Sequence, residues 1–122
     1  MSRFAGKPVF AKGRMRAGEM NQTEQRFARW LDEQKRLGAV AEYWFEPVSL
    51  KVAPNRCSYT PDFGVLRPSG EFEFFEVKGS PAIFQDDSKV KIKVCAGNLP
   101  FRITVAYPIP AKKGGGWRFQ EF

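Results

Sequence analysis

The chain contains no histidine. That removes Ser-His and Cys-His triads, histidine-ligated zinc and every nuclease chemistry that relies on an imidazole. Cysteine is nearly as scarce: Cys57 and Cys95 occur alone, without the paired spacing of a metal knuckle. Such usage fits a reducing cytosol, although a single disulfide between the two stays open. No apolar run approaches the roughly 20 residues of a membrane helix. The N-terminus also lacks a signal-peptide apolar core, so a soluble, cytoplasmic protein with no membrane partner is expected. Internal repeats, low-complexity segments and a phosphate-cradling glycine loop are missing too. Acid is the minority charge, with 13 Asp and Glu against 20 Lys and Arg, a net +7. A cationic surplus suits a polyanionic partner such as nucleic acid.

What the chain has in quantity is core material. Its 122 residues are 43% hydrophobic and 15% aromatic, enough for one domain to bury a core without staples. Most of the chemistry sits between Tyr59 and Gly79. Two apolar, aromatic and β-branched segments flank Arg67-Pro68-Ser69-Gly70, a cluster of turn residues, so the spacing predicts a β-hairpin. Side chains alternate along a strand, which puts Glu76 and Lys78 on one face and Phe75 and Val77 on the other. If Leu66 pairs with Phe72, Asp62 lies directly across from Glu76. A closure one residue tighter would pair Asp62 with Phe75 and turn the acid away.

Two carboxylates and an ammonium at one place have a use in phosphodiester hydrolysis. Mg²⁺, or Mn²⁺ in its stead, prefers oxygen ligands and is commonly held by one or two carboxylates plus waters and a phosphate. Asp62 and Glu76 supply such ligands, the Val77 carbonyl adds a neutral one, and Lys78 can orient or help deprotonate the attacking water. The competing reading is a solvated same-face ion pair between Glu76 and Lys78, worth at most about 1 kcal/mol. Phe72 and Phe74 share the face with Glu76 and argue that the strand is covered.

Elsewhere the sequence punctuates itself. Residues 1–19 carry Arg14, Arg16 and other cations among glycines, which predicts a flexible basic arm that either tracks phosphates or is a solvated tail. From Met20 the pattern turns helical, with Asn21 as N-cap, Glu24 at capping-box spacing, a stripe of Phe27, Ala28, Leu31, Gln34 and Leu37, and Gly38 as the stop. Glu24 can cap the helix, bind a metal, or do both. A strand is expected over Glu42 to Val52, interrupted at Pro47, and then a loop over Ala53 to Ser58 that holds Arg56, a candidate phosphate contact. A second helix starts at Pro81 or at Asp86-Asp87, the two acids suiting a helix N-terminus, with Ile83, Phe84, Val90 and Val94 as its buried stripe. Lysines two apart on a helix point about 200° apart. Lys91 or Lys93, not both, is therefore the candidate to face a phosphate. A strand over Phe101 to Tyr107, a basic glycine loop at Lys112 to Gly116 and a short last strand complete residues 20–122, the expected folded domain.

Pro61-Asp62 followed by Glu76-Val77-Lys78 resembles the metal-binding and catalytic motif of the PD-(D/E)XK nuclease superfamily. Asn21-Gln22-Thr23-Glu24, the run Tyr59-Thr60-Pro61-Asp62-Phe63, Glu76-Val77-Lys78-Gly79 and the lysine-spaced Asp87 to Lys93 look like a family of small phage and prophage proteins first catalogued as a domain of unknown function. The likeness spans Met20 to about Tyr107. It implies Asp62, Glu76 and Lys78 as catalytic residues, with Glu24 of the first helix joining the site, and one or two Mg²⁺ ions.

The order helix, three strands, helix, one or two strands predicts an α/β fold with a mixed sheet between helices, and the resemblance makes it a restriction-endonuclease-like αβββαβ core. The function expected is a Mg²⁺-dependent DNA endonuclease, phage or prophage encoded. Such small basic proteins often act on branched DNA as homodimers. The alternative is a catalytically silent nucleic-acid-binding accessory of phage replication or packaging.

Overall fold

The computed structural model describes residues 18–54, 57–80 and 86–122. Arg14, Arg16, Arg56, Ile83 and Phe84 lie outside these, as does most of the basic arm and the Pro81 helix start. Asn21 closes the first helix with a full capping box: its side chain accepts from the Glu24 amide at 2.8 Å while its own amide donates to Glu24 Oε1 at 2.9 Å. Helix α1 then runs over Gln22–Arg36 and buries Phe27, Ala28 and Leu31. Leu37, expected on that stripe, is 61% exposed, because the helix ends one residue earlier and the chain turns away at Gly38 (φ 86°).

The single strand expected over Glu42 to Val52 is two. Strand β1 covers Glu42–Phe45 and β2 covers Leu50–Ala53, in different sheets. The break falls at Glu46, which takes a left-handed φ of 48°, followed by Pro47, which has no amide to give a ladder. Nor is Ala53 to Ser58 all loop. Strand β3, Cys57–Tyr59, pairs antiparallel with β2 as a small separate sheet. Five strands thus stand between the helices where three were expected.

Strands β4 (Phe63–Leu66) and β5 (Phe72–Val77) form the predicted hairpin in the predicted register, Leu66 opposite Phe72 and Phe63 opposite Phe75. Gly64 permits it. A Cβ there would stand 2.7 Å from Cζ of Phe72 and 2.9 Å from Cγ of Pro47. Helix α2 (Asp86–Asn98) carries the chain over to β6 (Arg102–Pro108), parallel to β5, and a tight turn returns it as β7 (Trp117–Glu121), antiparallel to β6. The sheet order is β1-β4-β5-β6-β7. This is a mixed α/β arrangement.

The alternation of β5 sorts the two layers. Phe75 and Val77 pack with Phe27, Ala28 and Leu31 of α1, whereas Phe74 packs with Ile92 and Cys95 of α2 and with Tyr59 of the small sheet. On α2, therefore, Ile92 and Cys95 are the buried pair, with Ala96 and Leu99 beside them. Val90 is 58% exposed and Val94 half-buried, so the expected stripe was out of phase by part of a turn. No helix among the described residues is long and apolar enough to cross a membrane.

Candidate active site

The hairpin register decides where Asp62 points. One residue beyond the Phe63–Phe75 pair, Asp62 comes level with Glu76, and its Oδ2 accepts the Val77 amide at 2.8 Å. Glu76 is 7% exposed, on the face of Phe74 as expected. Its two oxygens are each engaged: Oε1 by the Tyr59 hydroxyl at 2.8 Å, Oε2 by the Lys78 ammonium at 3.2 Å. The pair is no solvated surface contact, since 18% of the Lys78 side chain and 9% of the Glu76 side chain see solvent. Lys78 itself lies just past the strand end, and its amide donates to the Ala106 carbonyl at 3.0 Å, which anchors its backbone to the neighbouring strand β6.

Glu24 reaches the same place from the start of α1. It lines, together with Asn21, Thr23, Asp62, Glu76, Val77, Lys78 and Gly79, a pocket of about 300 Å³. One Glu24 oxygen serves the capping box, and the side chain still lines the pocket beside Asp62, so the cap does not withdraw Glu24 from the site.

Electrostatically the pocket is overfilled with acid. Burial, then the charges of Glu76 and Glu24, holds the Asp62 pKa well above its ordinary 3.8, against the Val77 amide and Lys78, which pull it down. Burial raises Glu76 as well, opposed by Lys78 and by the Tyr59 hydroxyl. Glu24 is raised by burial and by the charges of Glu46 and Glu76, while the Asn21 amide and the hydrogen bond with Asp62 lower it. Glu73, the other buried acid of β5, has its own counter-ion, with Arg67 Nε 2.6 Å from Oε2. In the pocket, one lysine faces three carboxylates.

Among the described residues no three carboxylate or cysteine side chains stand close enough to form a ready-made ion cage. The donor chemistry still fits a hard divalent cation. All the donors are oxygens, the acids repel one another, and Mg²⁺ usually takes only one or two protein carboxylates, with waters and phosphate completing its shell. Asp62 and Glu76 would hold it, with the Val77 carbonyl and Glu24 at the same pocket wall.

Two participants were not assigned from the sequence. Tyr59 belongs to the run that resembles the nuclease family, yet its contact with Glu76 joins two sheets and has no local signature. Glu46 was absorbed into an expected strand; its amide donates to the Asp62 carbonyl at 2.7 Å and its carboxylate accepts from the Gly18 amide at 2.9 Å. Of the candidate phosphate contacts, Lys93 is exposed and Lys91 half-buried on α2, and neither lines the pocket. Compared with known proteins, the chain matches no family model, no curated protein and no solved structure.

Proposed function

We propose that the chain is a Mg²⁺- or Mn²⁺-dependent endonuclease that hydrolyses DNA phosphodiester bonds. The observation that carries this reading is the convergence of Asp62, Glu76 and Lys78, with Glu24, on one acid-rich pocket. The element order supports it: with the β2–β3 hairpin set aside, what precedes β7 runs helix, three strands, helix, strand, the order the nuclease resemblance implies for a restriction-endonuclease-like core.

A cation held by Asp62 and Glu76 would supply Lewis-acid chemistry toward water and phosphate. Asp62 is oriented for it by the Val77 amide, and Glu76 by Tyr59 and Lys78. The Lys78 ammonium, hydrogen-bonded to Glu76 Oε2, is placed to donate to a water or phosphate oxygen entering the pocket. There it offsets negative charge that grows as the phosphorus gains a fifth oxygen. Tyr59 is a positioning residue, fixing the Glu76 rotamer without reaching the substrate itself.

Incubation with supercoiled, linear, single-stranded and branched DNA, with and without Mg²⁺ or Mn²⁺, tests the reading. Cleavage that requires metal and disappears in Asp62→Asn is expected. DNA binding without cleavage of any substrate would make the chain a silent binding protein instead.

A further inference from the structure

A second pocket, of about 510 Å³, opens on the other side of Gly79. It is lined by Gly79, Ser80, Tyr107, Pro108, Ile109, Pro110, Lys113 and Arg118, so its walls are largely apolar and its polar side chains are two cations and two hydroxyls, with no carboxylate. The pocket is contiguous with the acid-rich one because β5 and β6 run parallel and leave the sheet at the same edge, Gly79 serving both. The Tyr107 phenol reports the same proximity: burial raises its pKa, and the charges of Arg118 and Lys78 pull it down. The guanidinium of Arg118 lies over the Tyr107 ring, 5.2 Å from its centroid, and Arg118 also lines the pocket. Both Lys113 and Arg118 are exposed, on the two sides of a turn that passes through left-handed Gly114, Gly115 and Gly116.

A duplex presents its stacked bases edge-on and fills no such concavity. An unstacked nucleotide does: its base fits an apolar wall and stacks on an arginine plane, and its phosphate meets cations. The volume lies within the roughly 300–1,000 Å³ of small-ligand pockets. We propose that this pocket holds one unpaired deoxynucleotide, flanking the phosphate that enters the acid-rich pocket. The inference rests on the nuclease reading for which phosphate is cut, and it narrows the substrate from DNA in general to DNA with an unpaired nucleotide beside the reacting bond.

Fluorescence anisotropy in EDTA, which needs no cleavage, tests it with a labelled single-stranded oligonucleotide and the duplex of the same sequence. Arg118→Ala is expected to weaken single-strand binding roughly tenfold, the order of one lost stacking contact, and duplex binding less than twofold. Arg118→Lys, which keeps the charge but not the plane, should recover little of the loss. Equal losses on both substrates would reduce Arg118 to a general phosphate contact and overturn the proposal, as would unchanged single-strand binding by Arg118→Ala. Cleavage is scored separately with Mg²⁺. A strand-selective loss without any metal-dependent cleavage would keep the nucleotide pocket and defeat the nuclease reading; cleavage without strand-selective loss would do the reverse.

Discussion

Tyr59 donates its hydroxyl hydrogen to Oε1 of Glu76 at 2.8 Å, across the boundary between the two-stranded and the five-stranded sheet. Residues holding a metal-binding group in place typically cost roughly 10–100-fold in affinity or activity when removed. Tyr59→Phe should therefore weaken Mn²⁺ binding by about that factor while leaving Asp62 untouched. Isothermal titration of Mn²⁺ into the variant, with melting measured alongside, separates this from a general loss of stability of about 1 kcal/mol for one hydrogen bond.

Metal itself should stabilise the fold. A ligand that binds only the native state raises its melting temperature, so Mg²⁺ or Mn²⁺ added to the wild type should do so and should have no such effect on Asp62→Asn. An equal shift in that variant would put the ion elsewhere.

The crowded acids make a pH prediction. A carboxyl whose folded pKa lies above its unfolded value disfavours folding once ionised, so the cost is absent below the unfolded pKa and grows as pH rises toward the folded one. Asp62, Glu76 and Glu24 are all raised. Without metal, Asp62→Asn should thus melt higher than wild type near neutral pH, and the gap should close as pH falls toward the ordinary 3.8 of an aspartate. Calorimetry of both proteins in EDTA across that range is the check; a gap that widens on acidification would contradict the argument.

Lys78 isolates chemistry from binding. At saturating metal, Lys78→Ala should slow single-turnover cleavage by about 10²–10³, the typical effect of one preorganised donor. Lys78→Arg should rescue little, because a planar, permanently charged fork cannot share a proton with water. Near-wild-type cleavage by Lys78→Ala would leave the Glu76–Lys78 contact as a structural ion pair.

The parts of the site that were legible are those set by local rules. Turn residues at Arg67 to Gly70 and strict alternation announced the hairpin and narrowed its register to two closures, of which the structure has the one that brings Asp62 to Glu76; Asn21 and Glu24 announced the helix start by their spacing. The split at Glu46 was not legible. Apolar and aromatic residues continue on both sides of Pro47, and nothing in their alternation says which sheet each side joins. The face of α2 was missed for a related reason: Val90 and Ile92 are equally apolar, and only the position of the sheet decides between them. The hydroxyl on Glu76 depends on packing between sheets, which no local pattern encodes.

The parallel run of β5 and β6 has an evolutionary consequence. Asp62 and Glu76 stand beside and on the hairpin strands, whose register tolerates no insertion, whereas the wall beyond Gly79 is built by the turn after Pro108, where surface loops ordinarily accept changes of length and composition. Lengthening or replacing that turn would reshape the neighbouring pocket without disturbing Asp62, Glu76 and Lys78. The two pockets can drift at different rates in one small domain, because adjacent strands pointing the same way deliver them side by side from segments under different constraint.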